Sequence, residues 1–275
     1  MLRDLTRDDW LSTLGLPEER IPRALILRGT RDLKFYYRAY QAHFENILEL
    51  GDPNKVVDDL FIGDLGGVPV AYASVYGAPM ASELTHIFGV LGTPLVIQTG
   101  CYGALAGTIE LGDLLFATRA YCGEGAAQYY RPERKVVEAS LHLTDLPAFR
   151  RVDDIPLHFG RIYTTSALFA EGEREVEAWF RQGYAAIDME TATTFAVAEH
   201  FGMDRLSILF AFDNPRRQEH ILLTDAGKER RRARGNERMI ALALEVVKEY
   251  QALRDGLKSQ VSGDRHLKTF KPGIA

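Results

Sequence analysis

Residues 185–195 read AAIDMETATTF. The apolar residues at its start are typical of a buried strand, the two acids Asp188 and Glu190 flank Met189, and the small residues that follow can form a helix. Acids at the first turn of a helix complement the helix dipole and accept hydrogen bonds from free backbone N–H groups. The stretch therefore predicts a strand that runs into a helix. The two carboxylates either cap that helix or bind a ligand.

Strands and helices alternate along the rest of the chain. Seven apolar runs are predicted strands: Arg23–Leu27, Val68–Tyr76, Pro94–Thr99, Asp113–Ala120, Leu157–Thr165, Ala185–Asp188 and Arg205–Ala211. Four segments have helical spacing: Met80–Leu91, Glu173–Gln182, Glu190–Phe201 and Glu237–Leu253. This alternation predicts an α/β fold, a single-domain three-layer sandwich around a central mixed sheet. We expect residues 22–257 to form this domain, with an N-terminal extension (1–21) and a polar C-terminal tail (258–275).

The composition excludes several classes of protein. The 275 residues are 46% hydrophobic and carry a formal net charge of −5, so nothing favours nucleic-acid binding. We find no apolar run of the roughly 20 residues that span a membrane, and the first residues lack the apolar core of a signal peptide. Cys101 and Cys122 are not paired with histidines at metal-ligand spacing. We expect a cytoplasmic protein with reduced thiols, no metal, no other cofactor and no membrane partner.

Glycines and polar residues follow the predicted strands at five places. These are Gly29-Thr30-Arg31, Tyr76-Gly77-Ala78-Pro79, Thr99-Gly100-Cys101-Tyr102-Gly103, Asp188-Met189-Glu190 and Asp213-Asn214-Pro215. The third contains a predicted Gly-X-X-Gly turn, in which glycines would let the backbone approach a ligand. Since ligands of α/β proteins bind beyond the carboxyl ends of the strands, the five segments predict one crevice.

The order of these segments resembles the nucleoside phosphorylase superfamily over residues 22–250. It is carried by the glycine turn after the first strand, YGAPMASE, QTGCYGAL with LGD, GEGAAQYYRP, YTTSALF, DMETAT and an aspartate after an apolar strand. The resemblance implies an α/β fold with a mixed sheet, a homo-oligomer of two, three or six subunits, and cleavage of the N-glycosidic bond of a nucleoside.

The resemblance also implies roles for the acids. Met189 would pack on the sugar, and Glu190 would bind the ribose hydroxyls and stabilise the positive charge that develops on the ring. Asp188 replaces the first glutamate of the family motif. Asp213 would protonate the departing base, because a purine anion leaves poorly unless N7 is protonated. The alternative for Asp213-Asn214-Pro215 is an Asx turn that opens a loop.

Other positions complete the predicted site. Besides the catalytic pair Glu190 and Asp213, the substrate-binding residues are Met189, Phe169, Thr99, Gly100, Ser166 and Asp188. Phe169 stands where the family places an aromatic ring against the base, although it could equally belong to the core. Uridine-specific relatives carry Gln and Arg where this chain has Glu173 and Glu175. Because acids cannot replace those donors, we expect a purine-type base.

The phosphate site departs most from the family pattern. The family motif Gly-Asp-Pro-X-Arg corresponds to Gly29–Lys34, and we predict phosphate binding by Gly29 and Arg31. A second motif, Arg-X-Gly-Ser/Thr, corresponds to Gln98–Cys101, which lacks both the arginine and the hydroxyl. A third arginine, from a neighbouring subunit, would fall near Lys55-Val56.

The resemblance, together with these departures from it, leaves three candidate functions. The first is a phosphorylase that transfers the pentosyl group to phosphate. The second is a nucleosidase that uses water, since related nucleosidases also lack the arginines. The third is a nucleoside-binding protein without turnover, which would have no need for both Glu190 and Asp213. The run Arg230–Arg232 is predicted to be an exposed helix face, with the alternative that one of its arginines turns toward Asp213.

Overall fold

Two buried apolar runs, at residues 24–29 and 95–104, form adjacent parallel strands at the centre of the sheet. The computed structural model describes residues 1–52 and 57–267, and the side chains of 1–52 and 57–256. Its strands are β1 Ala24–Gly29, β2 Glu45–Glu49, β3 Leu60–Leu65, β4 Val68–Val75, β5 Leu95–Ala104, β6 Leu114–Cys122, β7 Val136–Glu138, β8 Leu157–Thr164, β9 Ala186–Asp188 and β10 Asp204–Asp213. Its α-helices are α1 Arg7–Leu14, α2 Leu33–Gln41, α3 Gly77–Val90, α4 Pro147–Arg150, α5 Glu173–Arg181, α6 Thr191–His200 and α7 Ala226–Leu267.

The strands form one mixed sheet, part of which closes on itself. On one side of β5, the parallel strands β1 and β4 lead to the antiparallel edge strands β3 and β2. Farther along the same edge β5 pairs with β9, and its opposite edge pairs with β10; β8 and β6 join β9 and β10, so that these four strands and β5 form a ring of five. The small strand β7 pairs with β6. The ring brings the ends of β5, β9 and β10 together.

Helices cover both faces of the sheet. Along β1, Ala24 and Ile26 belong to a core shared with α2, α6 and α7, whereas Leu25 and Leu27 belong to a core shared with α1 and α3. This alternation follows from the two-residue period of a strand. The predicted three-layer sandwich with a central mixed sheet is confirmed.

The predicted Gly-X-X-Gly turn at Gly100–Gly103 is wrong, because β5 continues through it to Ala104. The neighbouring β10 stays in register as far as the pair Asp213 and Gly103, and β9 pairs with β5 at Gly103. These strands supply backbone hydrogen-bond partners that a turn would otherwise have to provide. Such partners are distant in sequence, so the local pattern could not reveal them.

Helices lie near both ends of the described chain. Trp10 of α1 and Leu16 after it are buried in the core beneath α3, so the 1–21 segment packs on the domain. The helix α7 extends to Leu267, past the predicted start of the tail at residue 258, and residues 268–275 lie outside the described part. Among the described helices, none combines the length and the apolar character that crossing a membrane would require.

Candidate active site

A cavity of about 400 Å³ opens above the carboxyl ends of five strands. Residues from all five segments that follow the predicted strands line it, including Gly29, Tyr76, Cys101, Met189 and Asp213. Most of the wall is apolar or aromatic, and the charged side chains that reach it come from Arg28, Arg31, Asp32, Glu171, Glu190 and Asp213. A mostly apolar crevice with a few convergent charged groups is typical of a small-molecule site.

Glu190 is buried in the wall of the cavity. Its Oε1 accepts a hydrogen bond of 2.7 Å from the backbone N–H of Gly77, at the start of α3. A Cβ atom on Gly29 would lie 2.8 Å from its Oε2, so a larger residue at 29 would force the carboxyl group to move. Burial, and then the charge of Asp188, raise the pKa of Glu190 to about 8.

Asp188 points elsewhere and caps the helix. Its Oδ2 accepts a hydrogen bond of 2.8 Å from the backbone N–H of Thr191, and its Oδ1 accepts one of 2.7 Å from the hydroxyl of Thr164. Glu190 makes no such cap. The cap interpretation of residues 185–195 therefore holds for Asp188, and Glu190 remains the candidate for binding a ligand. Asp188 does not line the cavity, so the geometry gives its predicted contact with substrate no support.

Asp213 ends β10 on the cavity wall, beside Gly103 of β5. A Cβ atom on Gly103 would lie 2.9 Å from Cγ1 of Ile187 and 3.1 Å from Oδ1 of Asp213, so a larger residue at 103 would crowd both side chains. Burial raises the pKa of Asp213 to about 7, against the opposing charge of Arg232. A carboxyl group with this pKa can hold a proton and release it near neutral pH.

The run Arg230–Arg232 divides: Arg230 and Arg231 are exposed, as predicted, whereas Arg232 turns toward the end of β10. Arg232 is buried, and its Cζ lies 4.1 Å from the ring centroid of Phe212. Its Nε donates a hydrogen bond of 2.6 Å to the backbone carbonyl of Phe212, the residue before Asp213. This arginine fixes the strand end that carries Asp213 and opposes the rise in its pKa.

The remaining predicted residues divide into two groups. Gly29, Arg31 and Met189 line the cavity with the two acids, whereas Thr99, Gly100, Ser166 and Phe169 do not. The Thr99 hydroxyl donates to the Leu27 carbonyl inside the sheet, at 2.9 Å. Lys55-Val56, near which the third arginine was expected, lies outside the described residues.

Three of these positions depart from their expected surroundings. Gly100 packs against the backbone of Gly29, and a Cβ there would lie 3.0 Å from the Gly29 carbonyl oxygen. Phe169 is 87% exposed, and its ring centroid lies 5.6 Å from the Cζ of Arg31. Ser166 is exposed beside it. The aromatic wall comes instead from Tyr36, Tyr76, Phe210 and Phe212.

The sequence analysis missed three charged residues of the cavity, Arg28, Asp32 and Glu171. Arg28 had a visible signal, since it is the only charged residue in the apolar strand ALILRG. Glu171 had none, because it lies in a polar loop. Burial raises the pKa of Glu171 to about 7, and the nearby charge of Asp213 adds to the rise.

Gln98 occupies the position where the family motif has an arginine, and it is fully buried. Its Oε1 accepts a hydrogen bond from the hydroxyl of Thr194 at 2.8 Å, and its Nε2 donates to the Thr99 carbonyl at 3.0 Å. Gln98 thus joins β5 to α6 and does not line the cavity. Among the described side chains, no group of three or more His, Cys, Asp or Glu residues is placed to hold a metal ion.

The chain belongs to the phosphorylase superfamily, whose family model matches residues 38–248. It is 31% identical to a guanosine phosphorylase of Halorubrum lacusprofundi over 128 residues, which are 46% of this chain and 53% of that protein. It is also 28% identical to a DeoD-type purine nucleoside phosphorylase of Geobacillus kaustophilus over 192 residues, covering 69% of this chain and 73% of the relative.

Solved structures show the same fold. A uridine phosphorylase from Vibrio fischeri superposes with a TM-score of 0.72 at 21% identity, covering 85% of this chain and 94% of that one. A purine nucleoside phosphorylase from Toxoplasma gondii, in complex with immucillin-H, gives 0.71 at 19% identity, with 85% and 93% covered. The resemblance to the nucleoside phosphorylase superfamily is confirmed.

The different partners of the two neighbouring acids predict different effects on stability. Asp188→Ala leaves the buried N–H of Thr191 and hydroxyl of Thr164 unpaired, so the free energy of unfolding falls by roughly 1–3 kcal/mol. Glu190→Gln keeps an acceptor for Gly77 and removes a carboxyl group whose pKa is raised in the folded state. Wild type loses stability as the pH rises from the ordinary pKa of 4.5 through about 8, and Glu190→Gln loses less, because only the contribution of Glu190 is removed while Asp213 and Glu171 keep their raised pKa.

Urea unfolding of both variants at about pH 5 and about pH 9 measures these effects. Glu190→Gln is expected to match wild type at the lower pH and to exceed it at the higher one. A neutral Asp188→Ala, or a Glu190→Gln variant that is destabilised at both pH values, would contradict the assignment of the cap to Asp188.

Proposed function

We propose that this protein cleaves the N-glycosidic bond of a purine-type nucleoside and transfers the pentosyl group to phosphate. The observation that carries the proposal is the placement of two buried carboxyl groups of raised pKa, Glu190 and Asp213, on one apolar cavity. Each is held against a glycine of a different strand, Gly29 for Glu190 and Gly103 for Asp213. They can act at two separate parts of one ligand.

Glu190 serves the sugar. Its Oε1 is held by the Gly77 N–H, and both oxygens can accept hydrogen bonds from vicinal hydroxyl groups. Departure of the base builds positive charge on the sugar ring, and a carboxylate fixed beside the ring stabilises that charge. Because the pKa of Glu190 without a ligand is about 8, hydrogen bonds from the sugar hydroxyls and the developing positive charge have to favour its ionised form. Met189 lines the cavity next to it and supplies an apolar surface for the sugar face.

Asp213 serves the base. Its pKa of about 7 leaves a substantial protonated fraction at neutral pH, and the proton passes to N7 of the purine as the C1′–N9 bond breaks. Burial favours the neutral acid before the reaction, and Arg232 favours the carboxylate that remains after it. The aromatic ring of Phe212, which lines the same cavity, provides a stacking surface for a planar base.

A purine fits this arrangement better than uracil. Protonation at N7 is a step that only a purine offers, and Asp213 is the acid placed for it. The exposed acids Glu173 and Glu175, which stand where uridine-specific relatives have Gln and Arg, do not line the cavity. The chain also has relatives named for guanosine and for purine nucleosides. We place the enzyme in purine salvage, as a cytoplasmic homo-oligomer.

Product analysis tests the reaction. Wild-type protein is incubated with inosine, guanosine, adenosine and uridine, with and without phosphate, and the sugar product is identified by NMR. The proposal predicts free purine base together with pentose 1-phosphate, formed only when phosphate is present. Free pentose at a rate independent of phosphate would establish a nucleosidase. Binding without any product would identify a nucleoside-binding protein.

Glu190→Gln is expected to lower kcat by a hundredfold or more, because the neutral amide cannot stabilise the charge on the sugar. Steady-state kinetics on the best purine nucleoside measure the loss. Glu173→Gln is the matched control, since Glu173 is an exposed acid on α5 that does not line the cavity. Equal rates for Glu190→Gln and its control would remove Glu190 from the reaction.

Asp213→Asn is expected to slow cleavage of ordinary purine nucleosides far more than that of N7-methylated ones, whose base already carries the positive charge. Wild-type activity on ordinary nucleosides is expected to rise with pH as Glu190 ionises and then to decline as protonated Asp213 is lost. This decline should be absent for the N7-methylated substrates. Equal losses on both substrate classes would show that Asp213 is not the acid.

A further inference from the structure

We propose that Arg28 is the anion anchor of the cavity and binds the phosphoryl group that takes part in the reaction. The reaction itself is taken from the proposed function. That Arg28 binds the anion is inferred from the burial and contacts of Arg28. It differs from the prediction made from the sequence, which gave phosphate to Gly29 and Arg31.

Arg28 is an unpaired cation in the interior of the protein. Its side chain is 1% exposed, on the face of β1 that α2 and α7 cover. The Cζ lies 4.1 Å from the ring centroid of Tyr36 and 5.5 Å from that of Phe210. Its Nη1 lies 3.5 Å from the sulfur of Met239, and its Nε has no hydrogen-bond partner among the described residues.

These neighbours do not neutralise the charge. A guanidinium group remains protonated even when buried, and an unpaired buried charge is strongly unfavourable unless an anion accompanies it. Within the described part of the chain, no carboxylate forms an ion pair with Arg28. Aromatic faces and a thioether are weak partners compared with an anion. Since Arg28 lines the cavity, a bound ligand can supply the missing negative charge.

A phosphoryl group matches the donors that Arg28 offers. The planar guanidinium presents parallel N–H groups that bind two phosphate oxygens at once. The rings of Tyr36 and Phe210 flank the group and restrict its orientation. The cavity is also largely apolar, so the attraction between the cation and a dianion is stronger there than in water.

The position of Arg28 suits the acceptor in a pentosyl transfer. In the sheet Arg28 lies opposite Thr99 of β5, and Asp213 lies opposite Gly103. Four residues of strand separate these points, or roughly 13 Å along β5. Arg28 is close enough to Glu190 to oppose the rise in its pKa. The anion therefore lies on the sugar side of the cavity, away from the acid for the base.

The reaction balances with the phosphate in this place. An oxygen of phosphate forms a bond to C1′ as the C1′–N9 bond breaks, and the electron pair of that bond leaves with the base. The base takes up the proton of Asp213. Arg28 keeps its own protons throughout and holds the phosphate by charge and hydrogen bonds.

Arg31 has different surroundings. Its side chain is exposed at the rim, with its Cζ 5.0 Å from the ring centroid of Tyr76 and 5.6 Å from that of Phe169. A solvated cation contributes less to anion binding than a buried one, because water screens it. We therefore assign the main contact to Arg28 and an outer contact to Arg31.

The phosphoryl group has two possible sources, free phosphate or the 5′-phosphate of a nucleotide substrate. Thermal unfolding of full-length wild type, Arg28→Met, Arg28→Lys and Arg38→Met separates them. Each protein is titrated with inorganic phosphate, and separately with a purine nucleoside and its 5′-monophosphate, in buffer free of other anions that mimic phosphate. Arg38 is the control, because it is an exposed arginine on α2 that does not line the cavity.

We expect a saturable rise of Tm with phosphate in wild type and Arg38→Met, and none in Arg28→Met. Without ligand, Arg28→Met is expected to melt at the same temperature as wild type or higher, because it lacks the uncompensated charge. In kinetic assays Arg28→Lys should raise the KM for phosphate tenfold or more, with a smaller change in kcat, because lysine cannot form the bidentate contact. A response to the monophosphate beyond that to the nucleoside, lost in Arg28→Met, would identify the nucleotide as the source.

Three results would overturn the assignment. The first is an equal response of Arg28→Met and wild type to the anion that stabilises wild type. The second is a wild type that responds to neither anion. The third is a ligand-free Arg28→Met that melts well below wild type together with an unchanged KM in Arg28→Lys, which would show a structural arginine. Binding by Tm requires no turnover, so this test can fail while nucleoside cleavage stands, and cleavage can fail while anion binding stands.

Discussion

The carboxyl group of Glu190 lies against the backbone of β1 at Gly29, where a side chain would require it to move. In this position its Oε1 accepts a hydrogen bond from the N–H of Gly77. The same device recurs where Asp213 lies against Gly103. Two glycines thus admit two carboxyl groups into an apolar crevice.

Burial of these acids also raises their pKa. Glu190, Asp213 and Glu171 all have a raised pKa, and in each case burial is the main cause. Arg28 carries the opposite charge into the same cavity. The site therefore contains groups that are poorly solvated before a ligand arrives. A ligand with hydroxyl groups, a basic ring nitrogen and an anion would compensate all of them, and this correspondence connects the fold to the proposed reaction.

The sequence predicted what depends on local pattern and on order along the chain. Apolar runs predicted the strand and helix around residues 185–195 and the mixed sheet. The order of the motifs along the chain indicated the family. The sequence could not show that Asp188 caps α6 while Glu190 reaches Gly77, since that division depends on a partner 113 residues away. It also missed the continuation of β5 through Gly103 and the role of Arg28, both of which depend on neighbouring strands and helices.

The central claim is that Glu190 contacts the sugar and Asp213 the base of one bound nucleoside. A crystal structure with a purine nucleoside analogue that cannot be cleaved tests it most directly. The account predicts that the ribose hydroxyls lie within hydrogen-bonding distance of the Glu190 carboxyl group and that N7 of the base faces Asp213. A nucleoside bound in the reverse orientation, or outside the cavity, would contradict it.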